Sequence, residues 1–337
     1  IAISAVPAGQ SVTFKNLSVS GPIISTDSNL NLLRCTLGHE VTATNPGNSN
    51  TQLSVVQSAL SGKLNSTLTR TWVGYSDLRW SYFEGQVEIV GNIFNGGGLG
   101  GIGVDLNGSS TNAHIHNNII RDFRGSFNEN ISNTCIGIRV SGNARSIIQN
   151  NAIIKNNDLN SGGSEVSVGI GILVSSTSRT KIISNMLYGN YVQDGHKSGS
   201  TFVELGNTNV HAPKQNVKMS YNSLKKDANN VSLSKGGIES LFSITDTDSD
   251  LTKFLTEPNR LVVKNGTARG MKNAGSPNEA DKDHDGSRND IGPNGGRNYI
   301  PNGRTTEKPI PISFTIAPQI VPIGGTVIIE STGATLK

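Results

Sequence analysis

Two polar segments of the chain carry side chains that could do acid–base chemistry. The first contains Arg121 and Arg124, and the second contains His196 and Lys197. An arginine can neutralise a carboxylate, while a histidine or a lysine can take a proton from a reacting group. Each segment follows an Asn-centred turn of a repeat, so stacked repeats would bring both segments to one side of the molecule. The alternative that they are ordinary polar surface loops stays open.

Residues 72–85 hold both tryptophans of the chain together with several other aromatic residues. The flat faces of Trp72, Tyr75 and Trp80 could stack on sugar rings if they are exposed. The same rings could instead pack beneath a long loop next to the repeat that begins near Val87. The segment is therefore a candidate carbohydrate-binding surface, with packing as the alternative.

An acidic segment near the end of the chain has the spacing of a cation-binding loop. Asp281, Asp283 and Asp285 stand at alternate positions, and Asp290 follows. Carboxylates with this spacing, followed by a glycine, resemble the first half of an EF-hand-type loop. Gly292 stands where the bidentate glutamate of such a loop would be, so this is not an EF-hand. A structural Ca²⁺ ion and a solvated acidic turn are both compatible with the pattern.

A pair of histidines offers a second metal-binding possibility. His114 and His116 alternate with Ile115, so a strand would place both imidazoles on one face. An inward face would make them core residues, whereas an outward face would allow a two-histidine metal pair. The sequence identifies no third ligand.

The elements that must position these residues form an internal repeat, in which alternating apolar residues surround an asparagine. The strongest copies are separated by intervals of 26, 33, 34 and 37 residues and centre on Asn92, Asn118, Asn151, Asn185 and Asn222. Weaker copies make eight candidate turns in all and centre on Asn16, Cys35 and Ser58. This spacing indicates a solenoid of short strands. The asparagines should take the left-handed backbone of a corner and hydrogen-bond to one another in a ladder.

The two cysteines of the chain, Cys35 and Cys135, fall three to four coils apart in this repeat. Coils that stack at about 4.8 Å would separate them by roughly 15–19 Å. A disulfide needs Cα atoms within about 7 Å. The spacing therefore predicts two free, buried thiols.

Over roughly residues 10–300 the repeat resembles that of the right-handed parallel β-helix proteins. The resemblance implies an all-β solenoid of roughly eight or more coils, with a C-terminal cap and a partial β-rich appendage. The acidic segment resembles an end piece of secreted bacterial β-helix proteins, through Ala274–Pro277, Asp285–Arg288, Asp290–Gly292 and Gly295-Gly296. We expect the β-helix to span residues 1–300. Residues 301–337 read as a linker and strands that resemble the start of an immunoglobulin-like module.

The resemblance also frames the functional hypotheses. It implies a protein, secreted or on the bacterial cell surface, that binds an acidic polysaccharide or cell-surface glycan. Whether it also cleaves that polymer, as a polysaccharide lyase acting by β-elimination or as a glycoside hydrolase, is open. The alternative is a non-catalytic structural or adhesive segment of a larger surface protein. A net charge of only +4 without a basic block argues against a nucleic-acid partner. No apolar run is long enough to span a membrane, and we expect a monomer.

Overall fold

The computed structural model describes most of the first half of the chain and parts of the second. The described residues are 1–4, 10–47, 50–97, 100–123, 134–154, 168–175, 177–188, 190, 208–211, 217–224, 273–297, 299, 304, 310–317 and 328–334. Arg124, His196 and Lys197 lie outside them.

Three parallel sheets build a right-handed β-helix, and each sheet has nine strands in the described residues. Sheet A contains Ala2–Ser4, Ile23–Thr26, Val41–Thr44, Leu64–Ser66, Ser81–Phe83, Gly101–Leu106, Thr134–Val140, Val168–Val174 and Thr208–His211. Sheet B contains Ser11–Lys15, Asn29–Leu33, Gln52–Val56, Arg70–Gly74, Gln86–Val90, Asn112–His116, Arg145–Gln149, Arg179–Ile183 and Val217–Ser220. Sheet C contains Ser18–Val19, Thr36–Leu37, Ala59–Leu60, Asp77–Leu78, Ile93–Asn95, Ile119–Arg121, Ala152–Ile154, Met186–Tyr188 and Ser223–Leu224. Each coil contributes one strand to every sheet in the order A, B, C, so the predicted fold is confirmed.

Other regular elements are few in the described part of the chain. A 3₁₀ turn spans Glu279–Asp281, and an antiparallel pair joins Ile310–Ala317 to Ile328–Ala334. None of the described helices is long and apolar enough to cross a bilayer.

The core follows from the period of two in the strands. In sheet B the inward position is aliphatic, fully buried and repeated coil after coil, as in Leu32, Val55, Val73, Ile89, Ile115, Ile148 and Ile182. Equivalent side chains of successive coils stack on one another, so each is buried on every side. Burial of this apolar surface is the main contribution to the stability of a solenoid. Cys35 and Cys135 are free and buried, as predicted.

The asparagine ladder lies at the corner between sheets B and C. The Nδ2 group of Asn92 donates to Oδ1 of Asn118 at 3.0 Å, and that of Asn118 donates to Oδ1 of Asn151 at 2.9 Å. The ladder continues through Asn185 to Asn222. The predicted ladder is therefore present.

One detail of the corner differs from the expectation. The left-handed backbone belongs to the residue before each ladder position, for example Asn117 at φ 57° and Asn150 at φ 53°. Asn16 occupies this preceding position, at φ 54°, so its assignment to the ladder was wrong by one residue. The ladder asparagines themselves do not have a positive φ, and their amides bridge neighbouring coils.

The solenoid has nine coils in the described residues, one more than the eight turns found in the sequence. The missed coil contains Leu64–Ser66, Arg70–Gly74 and Asp77–Leu78. Its ladder position holds Ser76, whose hydroxyl accepts the backbone N–H of Ser58 at 3.0 Å. Serine at the corner and aromatic residues around it hid the repeat.

Candidate functional site

A shallow groove of about 360 Å³ runs along the outer face of sheet C. One side is a row of residues in register across four coils, Thr36, Ala59, Asp77 and Ile93. The other side follows the ends of the same strands and comprises Ser61, Arg79, Asn95 and Arg121. The groove is open to solvent and parallel to the axis of the helix.

Arg121 is the one predicted catalytic candidate among the described residues, and it lines this groove. It ends its strand beside Asn95 of the preceding coil, and its Nε lies 3.6 Å from Oδ2 of Asp122. Arg79 joins it at the same edge, with its guanidinium carbon 6.0 Å from the centroid of the Trp80 ring. Sequence reasoning missed Arg79, because the repeat that places it beside Arg121 was not recognised.

A third arginine lies beside the groove. Arg304 donates to the backbone oxygen of Ser76 at 3.0 Å and forms an ion pair with Asp77 at 2.5 Å. With Asp77 paired to Arg304 and Asp122 beside Arg121, the edge of the groove carries the guanidinium groups of Arg79 and Arg121 and one carboxylate next to them.

The aromatic candidates lie in the missed coil. The Trp72 and Tyr75 side chains are buried, with exposed fractions of 6% and 5%, and pack together outside sheet B. Gly91 makes room for Tyr75, since a Cβ there would lie 2.5 Å from its ring. Trp80 packs partly buried against the core. Their rings thus supply packing area, and sugar stacking by them stays a prediction.

The acidic end piece lies along the side of the solenoid. We call residues 273–297, with Tyr299 and Arg304, the C-terminal strap. Asn150 Nδ2 donates to the backbone oxygen of Asp290 at 2.7 Å, and Asn117 Nδ2 donates to the backbone oxygen of Gly295 at 2.7 Å. Farther along, the backbone N–H of Ser276 donates to the Ser184 hydroxyl at 3.0 Å. The strap therefore docks on the left-handed corner residues of successive coils.

The four aspartates proposed as calcium ligands each hold part of the strap. Asp281 accepts from Gln149 at 3.0 Å, and Asp285 accepts the backbone N–H of Ser287 at 2.9 Å. Asp290 accepts the N–H of Asn273 at 2.6 Å. Asp283 accepts the N–H of Gly296 at 2.5 Å. Burial, with the charges of Asp290 and Asp285, raises the pKa of Asp283 above its ordinary value. Calcium binding here stays a prediction.

The two histidines face outward on sheet B and meet a third side chain. In the described residues, one group of three His, Cys, Asp or Glu side chains has ligand atoms all within 4.8 Å of one another: Glu88, His114 and His116. Glu88 is in register with His114 on the next strand. The His114 and His116 ring centroids are 4.3 Å apart, and Nε2 of His116 is 3.3 Å from Oε1 of Glu88.

The electrostatics of this cluster follow from its position under the strap. Burial, and then the charge of His116, lowers the pKa of His114 to about 4, so its imidazole is neutral at pH 7. Burial acts to raise the pKa of Glu88, but the hydrogen bond and charge of His116 outweigh it and lower that pKa. The cluster thus combines a neutral imidazole with a carboxylate that favours its ionised form.

Comparison with known proteins does not assign the chain to a family. No family model matches the chain, and neither a curated protein nor a solved structure was found to be similar.

Proposed function

We propose that this β-helix binds an acidic polysaccharide along the groove on the outer face of sheet C. The observation that carries the proposal is the arginine edge of a groove spanning five coils, with Arg79 and Arg121 on one side. Coils stack at about 4.8 Å, so the groove extends for roughly 19 Å along the axis. An open, straight groove of this length fits an extended polymer, and guanidinium groups bind carboxylates through paired, charge-assisted hydrogen bonds.

Binding without cleavage is the form of this function that the groove supports best. Among the described residues that line it, there is no histidine, lysine or tyrosine beside the arginines to take a proton. Cleavage by β-elimination requires such a base as well as a cation. A lyase would need its base from elsewhere, and Arg124, His196 and Lys197 are the candidates. The proposal places the protein outside the bacterial cell or on its surface, where acidic polysaccharides occur, as an adhesive module.

The test is a titration of the protein with uronic-acid polysaccharides, such as polygalacturonate and alginate, with neutral dextran as the control polymer. We expect Arg121→Gln and Arg79→Gln each to weaken binding at least about tenfold, because a hydrogen bond to a charged group contributes about 1.5–3 kcal/mol. Arg145→Gln changes the same charge on an exposed residue of sheet B, so it should leave the affinity unchanged.

Two results would change this conclusion. Equal affinity of Arg121→Gln and the unaltered protein, or no binding to any acidic polymer, would refute the proposed groove. A rise in ultraviolet absorbance from unsaturated sugar ends, lost in His196→Ala, would show that the protein is a lyase.

A further inference from the structure

We propose that Glu88, His114 and His116 bind a divalent transition-metal ion such as Zn²⁺, and that the C-terminal strap holds the ligands in position. The three side chains project from the outer face of sheet B in adjacent coils. Two imidazoles and a carboxylate form a donor set that suits zinc and its neighbours rather than calcium, which prefers oxygen. This proposal does not depend on the polysaccharide groove.

The orientation of His116 is fixed by the strap through Asn117. The amide nitrogen of Asn117 donates to the backbone oxygens of Pro293 and Gly295 at 2.9 and 2.7 Å. Its Oδ1 therefore faces Nδ1 of His116 at 2.8 Å and must accept that proton. In the neutral ring this leaves the lone pair on Nε2, and it faces Oε1 of Glu88 at 3.3 Å. A ring nitrogen and a carboxylate oxygen that both carry lone pairs at this distance can bind one cation between them.

His114 contributes the second imidazole of the cluster. Its Nε2 atom is buried and makes no hydrogen bond within the described part of the chain, so it can bind a ligand. Gln149, in register with His116 on the next strand, uses its amide nitrogen to donate to Asp281 of the strap at 3.0 Å.

The His116 imidazole thus donates from Nδ1 to an amide oxygen and keeps Nε2 for a ligand, and His114 has a buried Nε2 that makes no hydrogen bond in the described part of the chain. Metal-binding histidines in proteins almost always have such a partner on the other nitrogen, which fixes the tautomer and the ring orientation. Here the Asn117 amide is in turn held by backbone oxygens of the strap, and Asp281 of the strap holds the side chain of Gln149, next to His116 in register. Asp281 accordingly acts as a positioning residue beside the cluster.

The site also has a path for the ion and room for a fourth ligand. The Glu88 side chain is 46% exposed, so an ion can reach the cluster from solvent. Glu88 and His114 line a separate groove of about 340 Å³ on sheet B. Three protein ligands beside open space leave one position of a tetrahedral ion for water or a small ligand.

The experiment is calorimetric titration of chelator-treated protein with Zn²⁺, together with the visible spectrum of the Co²⁺-substituted form. We expect one ion per chain and a tetrahedral Co²⁺ spectrum. Glu88→Gln and His114→Gln should each weaken Zn²⁺ binding at least about 100-fold. His39→Gln, an exposed histidine away from the cluster, should not change it. Asp281→Asn should weaken binding by about 10–100-fold without changing the stoichiometry, as expected for a residue behind the ligands.

Circular dichroism shows whether each variant keeps its β structure. Of the three ligand variants, Glu88→Gln should disturb folding least, because the Glu88 side chain is the most exposed of the three. Absence of Zn²⁺ binding by the unaltered protein, or unchanged binding by a folded Glu88→Gln, would overturn the proposal. In either case the cluster would be a hydrogen-bonded Glu–His pair that supports the strap.

Discussion

Replacement of Asn151 by alanine tests the ladder at a position where the asparagine side chain is hydrogen-bonded to both neighbouring coils. The Asn151 amide nitrogen donates to Oδ1 of Asn185 at 3.0 Å, and to the backbone oxygens of Ile115 and Gln149 at 2.8 and 2.9 Å. Its Oδ1 accepts both the backbone N–H and the amide of Asn118, at 3.0 and 2.9 Å. Asn151 is completely buried, so water cannot replace these partners.

The expected cost follows from the groups left without partners. Asn151→Ala removes the acceptor of the buried Asn118 backbone N–H and a donor to two carbonyls. Each buried polar group left unsatisfied costs about 1–3 kcal/mol, so the free energy of unfolding should fall by about 4 kcal/mol. Asn151→Ser should recover roughly half of this loss. The reason is that a serine hydroxyl accepts the same kind of backbone N–H in the coil of Ser58, where Cys35 N–H donates to it at 3.0 Å.

The assay is urea unfolding followed by far-ultraviolet circular dichroism, with hydrogen exchange of the Asn118 amide as a local measure. Asn118 exchange should accelerate most in Asn151→Ala and less in Asn151→Ser. A loss below about 1 kcal/mol in Asn151→Ala, or equal losses in both variants, would contradict the hydrogen-bond reasoning. The loss of stability would then come mainly from the packing of the Asn151 side chain and not from its hydrogen bonds.

Further predictions concern the thiols, the strap, the histidine cluster and the acidic loop. Cys35 and Cys135 should react with alkylating agents only after unfolding, and a reducing agent should leave Tm unchanged, as mass spectrometry and thermal melting will show. Asn150→Ala removes four hydrogen bonds to the strap, so limited proteolysis should cut the strap faster than in the unaltered protein. The pKa of His114 is lowered to about 4 in the fold, so metal-free protein should lose stability as pH falls below about 6.5, by up to about 3 kcal/mol near pH 4. His114→Gln should flatten this dependence in urea titrations at several pH values. If the acidic loop binds Ca²⁺, the ion should raise Tm in the unaltered protein but not in Asp283→Asn.

The sequence predicted the coils well wherever the ladder residue is asparagine. It missed the coil of Ser76, because this corner has serine in place of asparagine and lies within the aromatic segment of residues 72–85, which was interpreted as a binding surface. It also missed Glu88 as the third member of the histidine cluster. The signal was present: Glu88 and His114 each stand four residues before a ladder asparagine, Asn92 and Asn118, so the repeat places them side by side.

The docking of the strap could not be read from the sequence in the same way. Asn117 contacts residues 176 and 178 positions later, and Asn150 contacts residues 139 to 142 positions later, as in its bond to the backbone oxygen of Asp290. Such pairs follow no period, and asparagine at these positions is already explained by its tolerance of a left-handed backbone. The second role of these side chains is visible only once the strap is in place.

The strap changes how the solenoid should behave when it unfolds. In a simple stack each coil contacts only its neighbours, so the ends can fray one coil at a time. Here one continuous segment contacts Tyr221 through Arg288 near one end and Ser76 through Arg304 several coils away. Opening any coil in between breaks its own contacts and also weakens the attachment of its neighbours through the shared segment. The coils from that of Ser76 to that of Tyr221 should therefore melt as one cooperative unit, and an ion bound at the histidine cluster should stabilise all of them.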